Sequence, residues 1–434
     1  MGTPTPATRR TILAYTALPA AATALAACGA DTGGQTTGAA GTQPITVEAW
    51  TRTGQFAELI DVYNPGQGQA DRVTVAVTRT ASGLDLQNKL MAAAASDTVP
   101  EFATVDLNIA PLFNVKRVFA DVTREFNQLK YKDQFPPAMV RNSTQDGKIY
   151  QVPFWVDTLG FYWNKNLFRA AGLPPDAAPK TWDDMTAHAV KLTRAPDAWG
   201  VTIPYNASAT FNFMPWVYAN GGTLFTADFK RSAVNSEQGA GAFQLWADLA
   251  QKRQVTPDGF RTGAAFNATE LFVLGKLGMY HSGPGLVDQL KRDAPHIDFG
   301  TSVIPVGPRG TRTGSAPGGE TMGFSPKTPN RARLWRLIEW LVGDDAQVEY
   351  LVAKRSNLPV LTRQVENRYY QAEPRFTPFR ESAQAATPTW NLHHEDLKAV
   401  MLPEYMAAMS GAKEPRAALR DMSEAIDRVL AQPA

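Results

Sequence analysis

Asp106, Asp157 and Glu320 are the acidic side chains from which paired carboxylate chemistry could be built. Hydrolysis of a glycosidic bond needs two carboxyl groups facing each other across a sugar. Carboxylates that only accept hydrogen bonds from sugar hydroxyls need no set separation, so residue type alone leaves both uses open. Four tryptophans stand near polar side chains: Trp50 with Arg52, Trp155 with Asp157, Trp390 with Asn391 and, more loosely, Trp216 with Asn212. A flat indole stacked on the C–H face of a ring, with planar polar groups reaching the hydroxyls, makes a site for a neutral polyol. Taken singly, each indole suits a hydrophobic core at least as well, so the pattern needs a frame.

Other chemistry is thinly represented. There is no HExxH, GxSxG, Walker A or GxGxxG motif, and Gly66-x-Gly68 lacks a third glycine. His393-His394-Glu395 is the densest cluster of histidine and acid. Adjacent histidines on a helix point about 100° apart and do not converge on one ion. No metal and no cofactor are expected. Asp183-Asp184 and Asp344-Asp345 fall at helix starts, where acids favour the dipole.

At roughly 150 residues per domain, 434 residues make two or three domains. With 44% hydrophobic and 19% charged residues, the chain can bury a sizeable core. Two of the 43 Lys and Arg are Arg9 and Arg10, so from Cys28 onward 41 basic residues meet 41 acidic ones. Nucleic-acid binders hold phosphates with an excess of cations, and this balance argues against that class. One cysteine allows neither an internal disulfide nor a zinc–cysteine cluster.

That cysteine closes an address segment. Residues 1–27 read as a signal peptide, with Arg9-Arg10 before the soft apolar run Thr11 to Ala27. Thr8-Arg9-Arg10-Thr11 resembles a twin-arginine export signal. Leu25-Ala26-Ala27-Cys28-Gly29 looks like a bacterial lipobox, with cleavage before Cys28 and acylation of its thiol. Acyl chains bury about 0.8 kcal/mol per CH₂, so several chains anchor stably. Residues 28–43 then form a lipidated, flexible tether. The expected location is the outer face of the cytoplasmic membrane.

Strands and helices alternate after the tether. Ile45 to Ala49 and Val73 to Thr78 alternate with period two, and Glu101 to Val105 reads as a third strand. Helical stretches, Gln55 to Tyr63 and Leu84 to Ala95, lie between them. This order implies an α/β fold with a parallel sheet, whose ligands sit at the carboxyl ends of strands. Trp50-Thr51-Arg52 and Asp106-Leu107-Asn108 occupy such ends. Thr181 to Arg194 opens on a capping box, Thr181 with Asp184, and lines up Trp182, Met185, Ala189 and Leu192. Arg331 to Val342 does the same with Leu334, Leu337, Ile338 and Leu341, and stops at Gly343.

Phe161-Tyr162-Trp163-Asn164-Lys165-Asn166-Leu167-Phe168-Arg169-Ala170-Ala171-Gly172-Leu173, followed by Pro179-Lys180-Thr181-Trp182-Asp183-Asp184, resembles the YNKxLFxxAGL…PKTWxE signature of extracellular solute-binding proteins of family 1. These are receptors of carbohydrate ABC importers, including the maltodextrin-binding type. Further matches follow in order: Leu86 to Glu101, Ala219-Asn220-Gly221-Gly222, Phe272 to Met279 with Ser282-Gly283-Pro284 behind it, and Pro305 to Gly319. There are departures. Gly283-Pro284-Gly285 stands where many members carry a tryptophan, Trp163 replaces the tyrosine of YNK, and Glu101 replaces an aspartate.

The resemblance implies a two-lobed periplasmic-binding-protein-like fold of type II, with a ligand cleft between lobes joined by a multi-strand hinge. One lobe would be 44–155 plus 305–357, the other 158–302 plus 360–434, with crossings near 156–158, 301–304 and 358–360. It implies ligand contacts at Trp50, Arg52, Asp106, Trp155, Asp157, Trp216, Ser282, Gly283, Gly319, Glu320 and Trp390, and a rim contact at His394. It implies no catalysis. A monomeric, membrane-tethered receptor would pass a mono- or oligosaccharide to an ABC permease. Arg52 and Arg355 leave room for an anionic ligand, such as a glycerophosphodiester or sugar acid, which a guanidinium holds bidentately. A secreted glycosidase and a surface lectin are the readings from other classes.

Overall fold

Alternating β-branched residues put β1 (Ile45–Thr51) and β2 (Val73–Arg79) side by side in parallel, Ile45 opposite Val73 through Thr51 opposite Arg79. The helix Gly54–Tyr63 makes the crossover and buries Phe56, Leu59, Ile60 and Tyr63 on one face. Full burial of side chains of this size stabilises by about 1.5–3 kcal/mol each. The helix Gly83–Ala95, capped by the Ser82 hydroxyl on the Asp85 amide, leads to β3 (Phe102–Asp106), which pairs in parallel with the other side of β1. Edge strand β2 is blunted by Asn64, whose side chain donates to the Val75 carbonyl at 3.0 Å and accepts from the Val75 amide at 2.9 Å. These elements fall within a residue or two of the expected spans.

The computed structural model describes residues 43–204, 209–259, 267–384, 386 and 392–433. Cys28, the signal segment, the tether and Trp390 lie outside the described residues. After the small hairpin β4 (Thr144–Gln145) and β5 (Lys148–Ile149), the first sheet is completed by β6 (Val152–Asp157) and β11 (Gly318–Phe324) in the order β2-β1-β3-β11-β6. β11 runs antiparallel to both β3 and β6, so the sheet is mixed rather than wholly parallel. The second sheet, in the order β10-β7-β9-β8, contains β7 (Gly160–Asn164), β8 (Trp199–Val201), β9 (Leu277–Ser282) and β10 (Phe299–Ser302). Each sheet has its own core. Phe56, Phe102, Phe154 and Leu337 pack in the first lobe; Phe161, Met185, Trp246 and Tyr405 pack in the second.

The expected capping box is present: the Asp184 amide donates to the Thr181 hydroxyl, and the Thr181 amide donates to the Asp184 carboxylate. Trp182, Met185, Ala189 and Leu192 are the buried face of that helix.

Two of the three crossings fall later than the resemblance implied. β6 belongs to the first sheet and β7 to the second, so the first crossing stands at Thr158-Leu159. Residues 305–316, assigned above to the first lobe, lie against the second. The Trp182 indole donates to the Pro305 carbonyl at 3.1 Å, the Gly307 amide bonds Ala219, and the Ser315 hydroxyl meets that of Thr158 at 2.7 Å. The chain returns to the first lobe only at Pro317-Gly318. Residues 361–365, assigned above to the second lobe, stay on the first: Thr362 donates to the Gln134 carbonyl and Arg363 pairs with Asp344. The hydrogen bonds of both segments join residues far apart in sequence, so no local pattern encoded them. Among the described residues, no helix is long and apolar enough to cross a membrane.

Candidate functional site

β1, β3 and β6 all end on the same side of the first sheet, and β11 begins there. That topology places Arg52, Asp106, Asp157 and Glu320 together at one end of the sheet. Glu320 stands in register with Asp106 on one side and Trp155 on the other. Arg52 Nη2 donates to Asp106 Oδ2 at 3.0 Å, and Arg52 Nε lies 3.5 Å from Glu320 Oε1. Burial opposes the guanidinium charge, but Asp106 and then Glu320 hold its pKa above the ordinary value.

The carboxylates differ in environment. Glu320 is fully buried; its Oε2 accepts from the Thr53 hydroxyl at 3.0 Å and its Oε1 has no hydrogen-bond partner. Burial raises its pKa, with Arg52 opposing. Asp157 Oδ1 accepts from the Thr158 amide at 2.9 Å. Burial pushes its carboxyl up to about 6, with the Asp106 charge adding to the rise. Beneath them, the hydroxyls of Thr51 and Thr104 meet at 2.7 Å, and Thr51 and Thr53 at 3.2 Å. This threonine ladder was not anticipated; its signal was the alternation of β1 and β3, which turns Thr51 and Thr104 the same way.

Gly319 is dictated by contact, and Gly283 marks a close approach. Gly319 has φ +122°, and a Cβ there would lie 2.1 Å from the Trp155 carbonyl oxygen. A Cβ on Gly283 would lie 3.2 Å from Asp157 Oδ1, while the Gly283 carbonyl accepts from Tyr162 at 2.7 Å. This contact brings the end of β9 at Ser282 and the turn at Gly283 from the second lobe up to the Asp157 carboxylate. Phe211, also unanticipated, approaches the same place: its Cζ is 3.5 Å from where a Gly318 Cβ would sit. His394 lies within electrostatic reach of Asp106. Burial lowers its pKa, with Asp106 and then Glu395 opposing. A cavity of about 180 Å³ beside it is lined by Gln87, Ile109 and Leu112 from the first lobe and Leu392, His393 and His394 from the second.

Other expected contacts are placed elsewhere. The Trp50 ring packs with Leu86 and Leu90 of the helix Gly83–Ala95; its Nε1 donates to Glu48, and the Lys89 ammonium covers it at 3.5 Å. Trp216 is 2% exposed, ringed by Phe161, Trp182, Trp246 and His281 in the second lobe's core. Trp155 lies in the first lobe's core with its Nε1 buried and unpartnered. Arg355 belongs to a separate surface pair, its Nε donating to Glu58 Oε2 at 2.7 Å. The acid–arginine group therefore gathers Arg52, Asp106, Asp157 and Glu320, joined by Gly283 and Gly319, and leaves out Trp50, Trp216 and Arg355. Among the described residues no cluster of His, Cys, Asp and Glu could hold a metal ion.

Two α/β lobes, with hydrogen-bond acceptors gathered at the carboxyl ends of the first sheet where the Gly283 turn of the second lobe meets them, are the architecture of a solute-binding protein. The chain belongs to the bacterial extracellular solute-binding proteins, whose family profile matches residues 58–378. It is 25% identical over 310 residues to a binding protein of Brucella abortus (strain 2308), covering 69% of this chain and 72% of that one. It is 30% identical over 211 residues to the sn-glycerol-3-phosphate-binding periplasmic protein UgpB of Agrobacterium fabrum, covering 45% and 46%. Its fold matches the crystal structure of the cyclic alpha-maltosyl-1,6-maltose binding protein from Arthrobacter globiformis with a TM-score of 0.74, at 26% identity over 89% of this chain and 99% of the other. It is a solute-binding protein of ABC transport, and proteins of this family bind rather than transform their solutes.

Proposed function

We propose that this protein is a receptor for a neutral mono- or oligosaccharide, which it delivers to an ABC permease. The observation that carries this reading is the state of Arg52. Its guanidinium is already engaged by Asp106 and Glu320, with Asp157 adding a third carboxylate. An anionic solute would have to displace those carboxylates or sit among them, and Arg355 is held by Glu58. Hydroxyl groups, by contrast, can donate to the half-buried carboxylates of Asp106 and Asp157 with Arg52 left in place. Such hydrogen bonds to a charged acceptor contribute about 1.5–3 kcal/mol each. Asp106, Asp157 and Ser282 are the contacts we assign, with Glu320 holding Arg52 in place and Trp390 as a stacking face. Solute stabilises the closed arrangement of the lobes, and the permease reads closure.

The test is a thermal-shift screen of the mature protein, followed by calorimetry and by chemical recovery of each hit. Cyclic alpha-maltosyl-1,6-maltose is the first sugar to try; simple sugars, sugar acids and sn-glycerol 3-phosphate complete the panel. A ligand at a hundred times its Kd adds about 2.7 kcal/mol of stability. A neutral sugar that binds and is recovered intact supports the proposal. Binding confined to anions overturns it in favour of the phosphoester or sugar-acid reading, and consumption of the hit overturns it in favour of an enzyme. We also assign a lipid anchor to Cys28. Cys28→Ser should move the protein from the membrane fraction to the soluble one, and an unmoved variant would refute the anchor.

A further inference from the structure

At the hinge, adjoining the acid–arginine group through Asp157, lies a cavity of about 470 Å³. Its walls come from both lobes and from the crossings between them. The helix Pro137–Asn142 contributes Met139, β6 contributes Val156, the segment 358–360 beside it contributes Leu358 and Val360, the crossing before β11 contributes Pro317, and the helix Thr377–Gln384 contributes Ala383. This lining is apolar, and the volume is in the range that holds small organic ligands. Two guanidinium groups break the pattern. Arg141 lines the cavity and forms no ion pair or side-chain hydrogen bond among the described residues. Arg380 gives one terminal nitrogen to Glu366 and keeps its Nε buried without a partner. Among the described lining residues Asp157 is the single acid, and its Oδ1 is taken by the Thr158 amide.

We propose that this cavity is a second ligand site, adjoining the sugar cleft and coupled to it, and that it takes an amphipathic carboxylate. A short acyl chain lies against Met139, Val156 and Leu358, where its methylenes leave water. The carboxylate lies on Arg141 and Arg380, where charge-assisted hydrogen bonds supply the partner that the Arg380 Nε lacks. Because the walls belong to both lobes, rotation of one lobe against the other changes the width of the cavity. A ligand here and a solute in the cleft therefore alter each other's affinity by the same factor.

Sodium decanoate, titrated calorimetrically into the mature protein below its micelle concentration, tests the site directly. The expected result is one saturable site per chain. Arg380→Gln should weaken it about tenfold, Ala383→Trp should abolish it by filling the cavity, and decan-1-ol should bind more weakly than decanoate. Arg380→Gln keeps the cavity intact, so the test survives a failure of the tryptophan variant to fold. No saturable binding, many weak sites per chain, or equal affinity in wild type and Arg380→Gln would each overturn the proposal. These results stand whether or not any sugar binds in the cleft.

Discussion

Asp157→Asn is the substitution that most sharply separates a binding carboxylate from a structural one. The native carboxyl is pushed from 3.8 up to about 6, chiefly by burial. The folded protein therefore holds this proton more tightly than the unfolded chain does. Stability is unaffected below the unfolded value, is lost as pH rises from about 4 to about 6, and stays lowered above that. A rise of about two units corresponds to about 3 kcal/mol at most. The residue is partly exposed, so solvent screening reduces this to about 1–2 kcal/mol. Asparagine has no charge to desolvate, and its carbonyl oxygen can still accept from the Thr158 amide. Urea unfolding should then show the variant about 1–2 kcal/mol more stable than wild type at pH 7.5 and equal to it at pH 4. Ligand affinity should move the other way, falling by about 1.5–3 kcal/mol as a charged acceptor is lost. A variant less stable than wild type at pH 7.5, or a gain that does not change with pH, would refute the reasoning.

Three further substitutions probe the same frame. Arg52→Met removes the cation shared by Asp106 and Glu320 and should cost about 2–4 kcal/mol at pH 7.5; the loss should shrink as pH falls and Glu320, whose pKa burial raises, takes up a proton, and a pH-independent loss would point to packing instead. Trp216→Ala should destabilise by about 3–5 kcal/mol in chemical denaturation, whereas a stable variant that has lost only its ligand would put the ring back in the cleft. Gly319→Ala forces a Cβ into the Trp155 carbonyl at a backbone angle that side chains avoid, and should cost about 2–4 kcal/mol; a melting temperature within a degree of wild type would show that the backbone there yields easily.

Much of the first sheet was legible because its order is local. β1, β2 and β3 announce themselves by period-two alternation, the intervening helices by their apolar faces, and the carboxyl-end rule then points to Arg52 and Asp106 without further information. What the residues could not show was direction and distance. Trp50 and Trp216 each sit near a hydrogen-bonding side chain, as a sugar platform would, but an indole's sequence neighbours do not say which face of its element it occupies. Trp50 turned toward Leu86 and Lys89, and Trp216 toward Trp246 and His281. Arg355 resembled a free cation because its partner, Glu58, is nearly three hundred positions away. Pairing of Glu320 with Arg52 is equally remote; only the antiparallel entry of β11 between β3 and β6 creates it.

That entry has a consequence for how the molecule is made. β11 is threaded into the first sheet after the chain has already laid down the strands of the second. Until residues 318–324 arrive, β3 and β6 present two unpaired edges to each other across a gap one strand wide, and open edges of this kind invite pairing with other chains. The amino-terminal lobe is thus not the first piece to finish. A polypeptide interrupted anywhere between Asp157 and Gly318 carries every residue of β1, β2, β3 and β6 and still lacks the strand that joins β3 to β6. Long-range closures of this kind form slowly. A chain caught at that stage needs the vacancy sheltered until both lobes mature together.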